Sequence, residues 1–143
     1  MPNAAFWDTS VLVPLCVPQG YTQIAGRLSK SYDAVVWWAT PVELAGVLAR
    51  LLRTAKIGQS ELADARVLAN GLDAWWSVIR PSDVLRARAQ RIVESYGLRA
   101  ADALQLSAGL EWCREDPRDR VFLTADKKLR DAALLSGFDV PQV

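Results

Sequence analysis

Five consecutive apolar residues, Ala34-Val35-Val36-Trp37-Trp38, constrain this chain most. A run this short, apolar at every position, fits a strand buried on both faces, as in a parallel sheet covered by helices. Ala4-Ala5-Phe6-Trp7, ending at Asp8, is a second such run, and Val121-Phe122-Leu123 is a third. Ser77-Val78-Ile79, cut off by Pro81, and Phe138 to Val140, an edge strand before Pro141, are weaker. Between them the period changes to that of helices. Tyr21, Ile24, Ala25 and Leu28 share one face of a broken helical region. Thr40-Pro41 opens a helix in which Leu44, Val47, Leu48, Leu51 and Leu52 form a single stripe. Ser60 is placed to cap a further helix, with Leu62, Ala65, Leu68, Leu72 and Trp75 inward. Ser82 to Tyr96, ended by Gly97, turns Leu85, Ala89, Ile92, Val93 and Tyr96 inward. Arg99 to Arg114 is apolar nearly all round and is expected to be buried; Lys127 to Ser136 stops at Gly137. Strands alternating with helices imply an α/β fold with a mainly parallel sheet. At 143 residues, with no repeat and no linker, residues 1–143 read as a single domain.

The chain contains no histidine. That excludes Ser-His-Asp and Cys-His catalysis, H-E-x-x-H zinc sites and imidazole acid–base chemistry. Cys16 and Cys113 are far apart in apolar surroundings and read as reduced core residues of a cytosolic protein. Met1 to Asp8 lacks the basic and apolar regions of a signal peptide. The longest uncharged stretch, Thr9 to Gly26, holds Pro14, Pro18 and Gly20, so no membrane span is expected and the cytoplasm is the expected compartment. The net charge of +1 gives no strong field toward nucleic acid or membrane. Thirteen of the 17 basic residues are Arg, which favours bidentate recognition of phosphate or carboxylate.

Four acids stand out by position. In open α/β sheets, ligands bind beyond the carboxyl ends of the strands. Asp8 follows the first strand, Glu43 lies just inside the helix after the second, and Asp126 follows Val121-Phe122-Leu123 with Thr124 near it. Asp102 lies in an apolar helix, flanked by Ala100, Ala101, Ala103 and Leu104. Each has a plainer reading. Asp8 and Asp126 could be helix N-caps, Thr40-Pro41-Val42-Glu43 spells a capping box, and Asp102 could complement a helix dipole in a first turn. Taken together they point further. Clustered carboxylates repel unless cations neutralise them, and oxygen-only ligation suits Mg²⁺ or Mn²⁺. Two such ions can activate a water and stabilise the leaving oxygen of a phosphodiester without any histidine.

The same residues carry a family resemblance. Phe6-Trp7-Asp8-Thr9-Ser10-Val11-Leu12 resembles the opening strand and D-T-(N/S)-x-L element of PIN-domain ribonucleases, specifically VapC-type toxins of type II toxin–antitoxin pairs. Thr40-Pro41-Val42-Glu43-Leu44 resembles the family's second acidic motif, and Ala101-Asp102-Ala103-Leu104-Gln105-Leu106 its D-A-L helix motif. Leu123-Thr124-Ala125-Asp126-Lys127-Lys128-Leu129 resembles its T-x-D-x-x-L motif, and Gly137-Phe138-Asp139-Val140 its closing strand. The matches keep the family's order across nearly the whole chain. The resemblance implies a three-layer α/β/α sandwich, PIN-like, on a mainly parallel sheet of about five strands. It implies that Asp8, Glu43, Asp102 and Asp126 hold Mg²⁺ or Mn²⁺ and that RNA is hydrolysed by metal-activated water. Ser10, Thr124 and Lys127 are then groups that orient the acids or contact phosphate. A homodimer and a cognate antitoxin protein are the implied partners.

Departures from the pattern leave the acids intact. Pro14 and Pro18 break the first helix early, and Trp is frequent, with pairs at Trp37-Trp38 and Trp75-Trp76. The first pair reads as buried sheet; in the second, Trp75 is expected inward and Trp76 more exposed. Arg86, Arg88 and Arg91 read as a solvated helix face, whereas Lys127 and Lys128, at a helix start, lie near Asp126. A haloacid-dehalogenase phosphatase would need an acid where Ser10 stands, and a receiver domain has no role for Asp102 on an apolar helix. No G-x-G-x-x-G or G-x-x-x-x-G-K-(S/T) motif is present. The alternative of another class is a catalytically silent PIN domain that binds RNA or a partner.

Overall fold

A computed structural model describes residues 3–18 and 20–143. The reading of the chain start as no signal peptide takes in Met1 and Pro2, which lie outside them. Strands β1 (Asn3–Trp7), β2 (Tyr32–Trp37), β3 (Ser77–Ile79) and β4 (Val121–Leu123) form one sheet in the order β3-β2-β1-β4. Every pairing is parallel, with Phe6 opposite Val35 and Phe122. The expected fifth strand is reduced to a single parallel bridge, Val121 with Asp139, because Pro141 follows at once. Among the described residues, seven α-helices accompany the sheet: α1 (Thr9–Leu12), α2 (Thr22–Ser31), α3 (Thr40–Arg53), α4 (Gln59–Gly71), α5 (Asp83–Tyr96), α6 (Ala100–Trp112) and α7 (Lys127–Ser136).

The apolar strand runs are explained by coverage of both faces. Phe6, Val35, Trp37 and Phe122 pack with α5, α6 and α7 in one cluster. Their alternating neighbours Ala5, Trp7, Ala34, Val36 and Leu123 pack on the other face with α1 and Trp76. The result is a three-layer α/β/α sandwich. A third cluster joins Val13, Cys16 and Val17 to Leu44 and Leu48 of α3 and Leu62 and Ala65 of α4. Pro14 falls in a 3-10 turn, Val13–Leu15, which ends α1 after one turn.

Several expectations on burial are corrected. Trp38 lies one residue past the end of β2 and is 52% exposed, so the Trp37-Trp38 pair is only half buried. Trp76 is buried and Trp75 only partly so, the reverse of the expected order; Trp75 meets Trp7 edge-on at 5.1 Å. Leu68 and Val93 face solvent. Gly58, with Glu61 accepting its backbone N–H, caps α4 in place of Ser60. Arg88 is not on a solvated face. It is 6% exposed and donates to Glu111, Glu115 and both oxygens of Ser107, tying α5 to α6.

Candidate active site

The sheet topology delivers the acids to one rim. β1 and β4 are neighbours, so Asp8 and the 124–126 turn emerge side by side, and Asp8 N–H donates to the Leu123 carbonyl at 2.9 Å. α3 starts just beyond β2 and carries Glu43 in its first turn; α6 carries Asp102 in its own. A cleft of about 340 Å³ results, lined by Asp8, Thr9, Ser10, Glu43, Val47, Arg50, Arg99, Ala101, Asp102 and Asp126. All four sequence-identified acids line it.

Each acid is held differently. Asp8 is buried, and its Oδ2 accepts from Ser10 Oγ at 2.6 Å and Thr124 Oγ1 at 2.8 Å. It also caps α1 through the Ser10 N–H at 3.4 Å. The two hydroxyls each have one proton, so their mutual 3.3 Å approach is a contact and not a further bond. Each in turn accepts a backbone N–H, Ser10 from Ala125 and Thr124 from Asp126. Asp126 caps α7 through Oδ1, which accepts from Leu129 N at 2.8 Å. A cap uses one carboxylate oxygen and leaves the other for the cleft.

Glu43 corrects the capping-box reading. The N-cap of α3 is Ala39, with no side-chain cap; Thr40 is fully buried. Glu43 Oε1 accepts instead from Gln105 Nε2 at 2.6 Å and from Thr9 Oγ1 at 3.4 Å. The sequence does not single out Gln105, which sits at the variable position of an apolar motif. The signal available was an amide on the inner face of a helix expected to be buried. Nor does the sequence single out Arg50, which lies two turns beyond Glu43 among the leucines of α3.

Burial and mutual repulsion set the charges. Burial pushes Glu43 up to about 7, against the Gln105 hydrogen bond and with help from the Asp8 charge. Burial raises Asp102 as well, reinforced by Asp126 and Asp8 and opposed by Arg99 and Lys128. Asp8 is raised by burial against the bonds from Ser10 and Thr124. These are the responses of carboxylates facing one another in a partly dry cleft.

The supporting groups divide. Ser10 lines the cleft, whereas Thr124 is buried, lies outside the lining and donates to Asp8. Lys127 is exposed at the start of α7, outside the cleft lining. Lys128 is the lysine whose charge reaches Asp102, and its Nζ donates to the Gly97 carbonyl at 3.3 Å.

The donor set, carboxylate and hydroxyl oxygens with no nitrogen or sulfur, fits Mg²⁺ or Mn²⁺. Among the described residues, no three acids converge closely enough to enclose an ion by themselves. Mg²⁺ suits such an open arrangement, because it commonly takes one or two carboxylates and completes its shell with water and substrate phosphate.

Known structures share this architecture. The chain matches a structure titled toxin-antitoxin complex from Klebsiella pneumoniae with a TM-score of 0.58 and 17% identity, over 87% of this chain and 88% of the other. PAE2754 from Pyrobaculum aerophilum matches with a TM-score of 0.67 and 17% identity, over 98% and 90%. FitAcB from Neisseria gonorrhoeae matches with 0.59 and 19%, over 94% and 96%. No protein-family model and no curated protein matches the sequence. The fold is therefore the expected one, a PIN-like α/β/α sandwich with four strands in its sheet.

Proposed function

We propose that this protein is a metal-dependent ribonuclease acting as the toxin of a VapC-type toxin–antitoxin pair. The observation that carries the reading is the convergence of Asp8, Glu43, Asp102 and Asp126 on one cleft beyond the carboxyl ends of the strands. Two of the similar structures are described as a toxin–antitoxin complex and as FitAcB, and the fold likeness supports the toxin role by analogy. The four acids would hold Mg²⁺ or Mn²⁺. A bound divalent ion supplies a water-derived nucleophile at neutral pH and charge stabilisation at the phosphodiester. The chain's own residues do the rest. Ser10 and Thr124 fix Asp8, Gln105 and Thr9 fix Glu43, and Arg50 and Arg99 place positive charge where an incoming phosphate would otherwise meet only carboxylates. An antitoxin that covers the cleft and a second copy of this chain are the proposed partners. The cytoplasm is the proposed compartment; among the described residues no helix is long and apolar enough to cross a membrane.

The test is cleavage of a cellular RNA pool by purified protein with Mg²⁺, with Mn²⁺ or with EDTA, beside Asp8→Asn. Discrete cuts that need both metal and Asp8 are expected. An absence of cuts under every metal would overturn the nuclease reading in favour of a binding-only domain.

A further inference from the structure

Gln105 stands three residues beyond Asp102 on α6, so one helix offers an acid to the cleft and, a turn later, an amide to the layer beneath it. The side chain is 0% exposed. Its Nε2 donates to Glu43 Oε1 at 2.6 Å and also lies 3.2 Å from Thr9 Oγ1 and 3.3 Å from Thr40 Oγ1. A carboxamide has two N–H protons, so these three acceptors share two donors. The other end of the amide, Oε1, has no partner among the described residues.

A buried carbonyl without a partner is unfavourable, and an apolar side chain of similar volume would fill the same space without it. Packing therefore gives no reason for an amide here. The donor end gives one. Its shortest bond goes to an acid of the cleft, and its next goes to Thr9, the residue after Asp8. Glu43 Oε2 carries no hydrogen bond among the described residues. We propose that Gln105 is a positioning residue: it pins Oε1 of Glu43, leaves Oε2 free for a cation, and through Thr9 sets the spacing of the Glu43 and Asp8 carboxylates across the cleft. This deepens the nuclease reading and rests on it. Hydrogen bonds to metal-ligating carboxylates hold their orientation, and losing such a partner commonly weakens metal binding by roughly 10–100-fold.

The experiment is Mn²⁺ binding, read by electron paramagnetic resonance of the free ion, on wild type, Gln105→Met, Glu43→Gln and the double variant. The Mn²⁺ concentration for half-maximal RNA cleavage is measured alongside. Gln105→Met keeps the side-chain length and removes the amide; Gln105→Asn, which retracts the amide by one methylene, replaces it if the first variant does not fold. The expected result is Mn²⁺ affinity lower by roughly 10–100-fold in Gln105→Met. No further loss is expected when that change is added to Glu43→Gln, because both act through one contact. A folded Gln105→Met or Gln105→Asn that binds Mn²⁺ as wild type does, or losses that simply add in the double variant, would overturn the positioning role. A wild type that neither binds Mn²⁺ nor cuts RNA would instead overturn the nuclease reading, and this inference with it.

Discussion

Thr124 donates to Asp8 across 116 residues of sequence, Oγ1 to Oδ2 at 2.8 Å, and so ties the end of β4 to the end of β1 at the floor of the cleft. Asp8 and Thr124 are both buried, so the bond has little competition from water. Thr124→Val keeps the shape and removes the donor. At neutral pH it should cost about 1.5–3 kcal/mol, the range for a hydrogen bond to a charged group. The loss should shrink in acid, where Asp8 takes up a proton and no longer needs two donors. Urea unfolding at both pH values checks this; Thr124→Ser should retain most of the stability. An equal loss at both would show that the hydroxyl does not serve the Asp8 charge.

The acids make metal-free stability fall with rising pH. Burial raises Glu43 to about 7 in the fold, above the ordinary glutamate value of 4.5. Between those values the folded state binds more protons than the unfolded state, so unfolding free energy decreases as pH rises. The contribution is fully present below the lower value and lost through the upper one. The metal-free Tm should therefore drop as pH rises from about 4.5 to about 7, and Glu43→Gln should flatten that slope. Asp102→Asn should raise the metal-free Tm at neutral pH, since it removes one of the repelling charges, while abolishing cleavage. Mn²⁺ should raise the wild-type Tm most above about pH 7, where Glu43 has lost its proton. A Tm independent of pH over this window would show that the carboxylates do not crowd one another.

What the sequence made legible was the rim, and what it hid was the layer below. Asp8, Glu43 and Asp126 could be placed because strand ends and helix starts are readable from apolar runs, and Asp102 because a charge in an apolar helix is conspicuous. Gln105 lies in the same helix yet carries no charge, and its three partners come from α1 and α3, far away in sequence. Contacts of that kind leave no local pattern. Arg88 failed for a related reason. A helical wheel puts it off the apolar face, but α5 packs closely on α6, and Glu111, Glu115 and the Ser107 oxygens wait there for a guanidinium. Trp38 failed by one residue, since strand ends are the least readable boundary of an apolar run.

Among the described residues, Arg50 and Arg99 are the two cations that line the cleft, Arg50 two turns beyond Glu43 on α3 and Arg99 at the N-cap of α6, three residues before Asp102. Neither forms an ion pair among the described residues. If they meet phosphate in ground and transition state alike, Arg50→Ala and Arg99→Ala should raise KM by roughly 5–30-fold, about 1–2 kcal/mol, with kcat nearly unchanged. Arg99→Ala should also make Asp102 harder to ionise, since Arg99 is one of the charges that lowers it. Its pH–rate profile should therefore shift upward while that of Arg50→Ala stays in place. Steady-state cleavage of a defined RNA across pH separates the two, and an unchanged KM in both variants would remove them from the substrate path.

Gly109 shows how tightly the acid-bearing helix is seated. It lies in α6 against β4, and a Cβ there would stand 2.8 Å from Cε2 and 3.0 Å from Cδ2 of Phe122. The ring cannot retreat easily, because it stacks on Phe6 at 5.1 Å and tilts against Phe138 at 5.3 Å. Gly109→Ala gains about 0.8–1.0 kcal/mol of helix propensity. Overpacking of a filled core costs about 1–3 kcal/mol, so the clash should win and the variant should be less stable. The same α6 carries Gln105 and Asp102 one and two turns toward its start, so any outward shift moves both together. Gly109→Ala should therefore lose cleavage more than its stability loss alone explains at temperatures where it remains folded. Urea midpoints together with cleavage rates well below the Tm check this; a variant as stable and as active as wild type would show that α6 has room to move.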